Sequence, residues 1–526
     1  MEVTLEIKKY IQPFERLLAL EELRGLTHLD INDLLLNDET CNSLTITTDI
    51  SLELLKYRLA YWERVGCSDL YPTQQVLLES SQDVSYEQEQ LDLFGNPPVK
   101  LPQSRKLRYG PHDIHEYRGK FFPQLVKALI NKSGLSEGCI VFDPFSGSGT
   151  TACEARLLGM ETIGVDLNPL SVKISRIKTA ILEINPKVIE EEFAALSERI
   201  LNTNITSEDI NERWDSADLK YLEDWFDQCA LQDVAQILKA INNCNEPIVK
   251  ELFELCLSNI IRSVSWQKES DLRVRKEIVE YIAGSALTLF SEEAKRQIKK
   301  LYTYLNIVQS NTNFKRYDIR EGDTKNVVQH FPDKVGKCDV LITSPPYATA
   351  LPYLDTDRLS LIILGLLSRK DYRSKDSLMI GNREVSESKR RELWEVYQER
   401  KSELTTSVCE LIDKIAQFNH GDNVGFRRRN LPALLAKYFL DISDSMKSAL
   451  KMMKPNSYAY YVVGNNSTIV DGVKWEIPTD QLLWELGEKV GWSQEKFLNM
   501  DLLPSRDLFR KNRGTAESIL VFRAKG

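Results

Sequence analysis

Residues 140–169 constrain this chain more than any other stretch, because strand, glycine turn, helix, strand and acid follow one another without interruption. Ile140-Val141-Phe142 is a short β-branched and aromatic run, 143–151 (DPFSGSGTT) is a Gly- and Ser-rich turn, and 151–158 has helical composition. Residues 161–165 form a second strand, closed by Asp166-Leu167-Asn168-Pro169. Parallel neighbours need a crossover helix, so this order predicts a βαβ unit of a doubly wound, mostly parallel α/β sheet. The glycines alone serve a tight turn as readily as a ligand. They lack the GxGxxG spacing of a dinucleotide site and the Gly-Lys-Thr of a P-loop. Asp166 stands at the end of the next strand, where carboxylates commonly hold ribose hydroxyls, so a nucleoside without phosphates is the economical ligand.

A second stretch, Thr343-Ser344-Pro345-Pro346-Tyr347, follows the apolar run 338–342 (CDVLI), which reads as a buried strand. Two prolines fix φ and remove two amide hydrogens, leaving a stiff rim of carbonyl acceptors beside an aromatic ring. By itself this is either a Pro-Pro turn closing a core strand or a receptor for a flat, amino-bearing ring. Asp323 lies near a third strand end, at 314–319. Consecutive strand ends of a doubly wound sheet line one edge, so Asp143, Asp166, Asp323 and residues 344–347 are expected to meet around one ligand.

The chain has 526 residues, enough for two to four units at roughly 100–200 residues per domain. Composition predicts a globular protein in the cytoplasm: 42% of residues are hydrophobic, no run of 18 apolar residues occurs, and the N-terminus lacks a signal-peptide layout. The nine cysteines are scattered without CxxC spacing, which predicts neither a disulfide framework nor a metal site. None of them follows a proline, as the attacking thiol of a cytosine C5 methyltransferase does. The net charge of -9 excludes a uniformly basic nucleic-acid coat but permits local patches.

Changes of period divide the chain into six stretches. Residues 1–100 are expected to form an N-terminal accessory region of helical character, with breakers at 95–98 opening a linker. Residues 101–184 hold the βαβ unit, 185–313 a helical insertion with runs at 249–264 and 278–305, and 314–368 the Pro-Pro stretch. Residues 369–433 are a polar insertion, and 434–526 return to the sheet through a helix at 434–452 and strands near 458–463, 497 and 519–522.

The pairing of DPFSGSGTT with TSPPY resembles the S-adenosylmethionine-dependent amino-group DNA methyltransferases, which methylate cytosine N4 or adenine N6. HEYRGKFFP at 115–123 is similar to that family's motif upstream of the cofactor loop, and the Arg513-Gly514 region before the last strand resembles its closing hairpin. The resemblance covers about half of the chain in separated blocks. It implies a seven-stranded sheet and a methionine-end site made by Phe122 with Asp143, Pro144, Phe145, Gly147, Ser148, Gly149 and Thr150. It further implies that Asp166 holds the ribose, Asp323 the adenine ring or amino group, and Ser344, Pro345, Pro346 and Tyr347 the target base. Ser-Pro-Pro-Tyr leans toward cytosine N4, since adenine enzymes more often carry Asp or Asn in place of Ser344.

The chemistry agrees with that pattern. An aromatic amine is a poor nucleophile, and two acceptors on its N–H groups localise the lone pair for direct attack on the sulfonium methyl. Such a base must leave a duplex to enter a pocket, where Tyr347 offers a stacking face. Double-stranded DNA is therefore the expected partner, with phosphate contacts from Arg262, Lys268, Arg273 and Arg275, from Arg427, Arg428 and Arg429, and from Arg506 and Arg510. A restriction endonuclease or defence-system subunit acting on the same DNA is expected to be a separate chain. Adenine N6 or an RNA base remains the alternative substrate, and a non-catalytic specificity subunit the alternative of another class.

Overall fold

The computed structural model describes all residues except 32–40, 82–100, 118, 120, 269–274, 310–312, 349–352, 383, 420–423, 471–472, 501–516 and 526. Its centre is a seven-stranded sheet built from β5 (Ile140–Asp143), β6 (Glu161–Asp166), β7 (Tyr317–Glu321), β8 (Cys338–Thr343), β9 (Met453–Gly464), β12 (Trp492–Met500) and β13 (Glu517–Ala524). The strand order is β12-β13-β9-β8-β5-β6-β7. Pairings β5–β6, β6–β7, β5–β8 and β8–β9 are parallel, whereas β13 runs antiparallel to both β9 and β12. The α/β class and the mostly parallel sheet read from the βαβ unit are thus present. The direction of winding reverses between β5 and β8, where the loops after both strands open into one crevice.

Helices cover both faces, as a parallel sheet requires. On one face the helix Thr150–Leu157 and the helix Pro123–Lys132 pack over Val141, Val340 and Ile342. On the other, the 25-residue helix Phe426–Leu450 buries Leu435, Phe439 and Met446 against Phe142, Leu341 and Tyr461. The insertion after residue 185 is helical, with Pro186–Asn202, Gln228–Ile241, Pro247–Ile260 and Ser285–Gln309 sharing one apolar cluster. The last of these starts at Ser285, not at the expected 278, because residues 277–284 are exposed turn without helical bonding. The polar stretch 369–433 contains the helices Arg369–Leu378, Glu387–Arg400 and Thr406–Phe418.

The N-terminal region departs from its expected helical character. Strands β1 (Glu2–Ile7), β2 (Ser43–Thr47), β3 (Trp62–Gly66) and β4 (Leu70–Pro72) form an antiparallel sheet in the order β2-β1-β3-β4, packed against Pro13–Thr27. The period-two pattern of EVTLEI, with Val3, Leu5 and Ile7 buried, is a strand signal too short to stand out beside the longer amphipathic helix. This sheet is tied to the methyltransferase-like core through polar bonds. The fully buried Glu22 carboxylate accepts from the Ala60 and Tyr61 amides and from Asn131 Nδ2, while Arg58 Nε donates to Asn131 Oδ1 at 2.8 Å. The breakers at 95–98 lie outside the described residues. Two further strands, β10 (Asn466–Val470) and β11 (Val473–Ile477), form a separate hairpin directly after β9.

Candidate active site

The carboxyl ends of β5, β6, β7 and β8 open into a cleft of about 990 Å³ including its mouth, lined among others by Phe145, Gly147, Asp166, Asp323, Ser344 and Tyr347. The glycine turn forms its floor because the chain there must curl back over the sheet. Gly147 (φ +48°) and Gly149 (φ +76°) both sit in left-handed conformations that residues with a Cβ adopt at a cost. A Cβ on Gly149 would lie 2.3 Å from Ser175 Oγ, so the turn packs directly on the helix Pro169–Ala180. The Tyr117 ring covers Gly147 from the cleft side, with Tyr117 Cε1 3.3 Å from where a Cβ would stand.

Three carboxylates take different places around this floor. Asp143 is buried beneath the turn, where it accepts from Thr343 Oγ1 at 2.6 Å and from the Phe145 amide at 3.1 Å. It therefore ties the glycine turn to the strand that carries the Pro-Pro stretch, and desolvation raises its carboxyl to about 6. Asp166 faces the cleft and accepts from the Gly147 amide and the Asn168 amide, each at 2.8 Å. Desolvation outweighs those bonds and raises it, too, to about 6. Asp323 caps the turn after β7, accepting from the Lys325 amide at 3.0 Å, and lies 3.4 Å from Lys325 Nζ. Beside it the Thr324 hydroxyl is buried in the cleft wall, without a hydrogen-bond partner among the described residues.

Residues 344–347 close the opposite wall. The Pro346 carbonyl accepts from Tyr438 Oη at 3.0 Å. Among the described residues, nothing bonds to the Ser344 hydroxyl or to the Pro345 carbonyl, and both residues border the cleft. Tyr347 is held from two sides. Its hydroxyl donates to Glu517 Oε1 at 2.9 Å, and its ring lies on Gly464, where an added Cβ would meet Tyr347 Cε2 at 2.6 Å. Glu517 and Gly464 are register partners in β13 and β9, so the reversed strand brings a carboxylate to the edge where parallel strands end.

Of the sequence-predicted residues, Pro144, Phe145, Gly147, Asp166, Asp323 and 344–347 line the cleft together. Ser148, Gly149 and Thr150 lie behind the floor, with Ser148 Oγ accepting from the buried Lys178 Nζ at 3.2 Å. Phe122 does not line the cleft; Phe121 does. Phe122 instead packs beneath the Arg105 guanidinium, 5.2 Å from the ring centroid. Residues missed by sequence reasoning are Tyr117, Asn168, Thr324, Glu517 and the apolar wall Leu378, Met379 and Ile380.

The expected cationic surface is divided. Arg262 donates to the Thr356 carbonyl at 3.2 Å, Lys268 pairs with Glu277 at 3.1 Å, and Arg275 is exposed. Arg427 pairs with Glu384, and Arg428 is exposed. Both, with Arg429, belong to the first turn of the helix Phe426–Leu450, which starts eight residues earlier than the sequence pattern suggested. Arg273, Arg506 and Arg510 lie outside the described residues.

The groups present suit a nucleoside: a tight glycine turn at the cleft floor, a cleft-facing carboxylate on the neighbouring strand, and a buried Thr324 hydroxyl without a partner among the described residues. Fold and site thus agree with the S-adenosylmethionine-dependent methyltransferases that the sequence resembles. Residues 64–176 match the N6/N4 DNA methylase family. The chain is 26% identical over 390 residues to the type II methyltransferase M.MvaI of Kocuria varians, covering 72% of this chain and 81% of the relative. It is 23% identical over 424 residues to M.BsoBI of Geobacillus stearothermophilus, covering 74% and 80%. TrmN from Thermus thermophilus, a solved structure at 10% identity, aligns across 100% of both chains with a TM-score of 0.32. The matches support an amino-group DNA methyltransferase of the N4/N6 family, with S-adenosylmethionine as cofactor.

Proposed function

We propose that the protein transfers a methyl group from S-adenosylmethionine to the N4 amino group of cytosine in a specific DNA sequence, as a type II methyltransferase acting on a flipped base. The observation that carries this reading is that Ser344 Oγ and the Pro345 carbonyl have no hydrogen-bond partner among the described residues and that both residues line the cleft with Asp166 and Asp323. An exocyclic amine has two N–H groups, and two acceptors match them. Accepting both draws the nitrogen toward tetrahedral geometry and localises its lone pair. Tyr438 occupies the next carbonyl, Pro346, and so leaves Pro345 as the acceptor on offer.

The bound cofactor supplies an electrophilic methyl on sulfonium. Asp166 would hold its ribose hydroxyls, Asp323 and Thr324 its adenine end, and Tyr117 with the glycine turn its methionine end. Tyr347 would stack on the target base, with Glu517 fixing the ring's position through the hydroxyl. Ser344 Oγ and the Pro345 carbonyl would hold the amine in line with the sulfonium methyl, which would pass to nitrogen as the carbon–sulfur bond breaks with its electrons going to sulfur, the displaced N–H proton leaving to water. No protein nucleophile takes part. Ser344 supports cytosine over adenine, and the relatives named type II methyltransferases support sequence-specific modification of DNA.

Nucleoside mass spectrometry of duplex DNA treated with enzyme and cofactor tests the assignment. N4-methylcytosine is expected; N6-methyladenine in its place refutes the cytosine assignment, and an unmodified duplex refutes catalysis.

A further inference from the structure

A second polar cavity adjoins the cleft, sharing Tyr117 and Gly119 with it. It lies between the end of the helix Pro247–Ile260 in the insertion and residues 356–360 after the Pro-Pro stretch. Gln267 lines it while only 3% exposed, and its side-chain Nε2 has no hydrogen-bond partner among the described residues. A buried donor without a protein acceptor is open to an acceptor on a ligand. The neighbouring Asn259 has its amide orientation fixed, because Nδ2 donates to the Ile114 carbonyl at 2.8 Å and to Glu293 Oε1 at 2.7 Å. Its Oδ1 is therefore left as a buried acceptor, also without a partner.

A donor and an acceptor carried by two residues that line one cavity suit a neutral ligand edge with the complementary pair. Charge argues the same way. Glu116 and Asp357 line the cavity together with Arg262, whose guanidinium is already bonded to the Thr356 carbonyl, so an anion such as phosphate is disfavoured. Asp357 Oδ2 also accepts from Asn168 Nδ2 at 3.1 Å, and Asn168 lines the main cleft, which links the two cavities through one side-chain pair.

We propose that this cavity is a second nucleobase subsite, in which Gln267 and Asn259 read the edge of a base flanking the methylated one. The proposal rests on the reading of the main cleft as a flipped-base site in DNA. It makes the helical insertion, through Gln267 after its helix Pro247–Ile260, a specificity element for the target sequence. Lys268 and Arg275, next along the chain, are then placed to meet the phosphates beside that base.

Two measurements test it. First, sequencing of methylated positions in DNA from cells expressing the wild type or Gln267→Leu gives the modified motif of each. The variant is expected to lose discrimination at one flanking position by roughly fivefold to a hundredfold, the range for one amide–base pair, while cofactor affinity stays within about twofold. An unchanged motif overturns the proposal. Second, the wild type is titrated into duplexes carrying the fluorescent base aminopurine at each position flanking the target. A rise in fluorescence at one flanking position is expected, since a base held in the cavity leaves the stack. A rise at the target alone overturns the subsite but leaves the main cleft's reading intact. Failure of the wild type to methylate any duplex overturns that reading instead.

Discussion

Gly464→Ala should slow methyl transfer without weakening cofactor binding. Gly464 ends β9 and touches no cofactor residue, but a Cβ there would stand 2.6 Å from Tyr347 Cε2 and 2.8 Å from Tyr347 Cζ. Ordinary carbon contacts need about 3.4 Å or more, so the ring must move by roughly 0.8 Å. The ring does not swing freely, because its hydroxyl is held by Glu517, the register partner of Gly464 itself. A displacement near 1 Å at a reacting centre costs on the order of 10²-fold in rate. We therefore expect kcat under single-turnover conditions to fall roughly 10- to 100-fold, with S-adenosylmethionine affinity by calorimetry within about twofold. In a Tyr347→Ala background the same substitution should have little further effect, because the clashing ring is gone. Wild-type kcat in Gly464→Ala, or an undiminished effect in the Tyr347→Ala background, would refute the placement of Tyr347 at the reacting centre.

Other substitutions probe the remaining walls. Cofactor affinity should fall as pH drops through about 6, where the raised Asp166 carboxyl takes up a proton and would cease to accept from ribose hydroxyls; calorimetry should show this slope in the wild type and a shallower one in Asp166→Asn, where Asp143 alone still titrates near 6. Thr324→Val removes a buried hydroxyl that has no protein partner. It should leave the melting temperature unchanged or raised, yet weaken cofactor binding by about 1 kcal/mol, roughly fivefold. Glu22→Ala strips the acceptor from two buried amides and Asn131, so chemical denaturation should show a loss of about 3 kcal/mol or more.

The sheet was legible wherever local pattern and ligand chemistry coincide. DPFSGSGTT between two short strands leaves a parallel crossover as the natural geometry, and the Pro-Pro stretch after CDVLI marks the neighbouring strand end. What the sequence hid follows from long-range register. Phe121 and Phe122 are adjacent aromatics entering a helix through extended backbone, where successive side chains point to opposite sides, and pattern alone does not say which faces the ligand. Glu517 reaches Tyr347 across 170 positions because β13 runs against its neighbours. The N-terminal sheet pairs β1 with β2 and β3 across intervening helix, and strands of five or six residues carry little periodic signal of their own.

The central claim is that Ser344 and the Pro345 carbonyl receive the amino group of the base. It is tested most directly by Ser344→Ala, assayed for methyl transfer to duplex DNA and for S-adenosylmethionine binding on the same preparation. Transfer should drop at least 100-fold, about 2.7 kcal/mol of transition-state stabilisation, while cofactor affinity is retained. Methylation at the wild-type rate by Ser344→Ala would contradict the account.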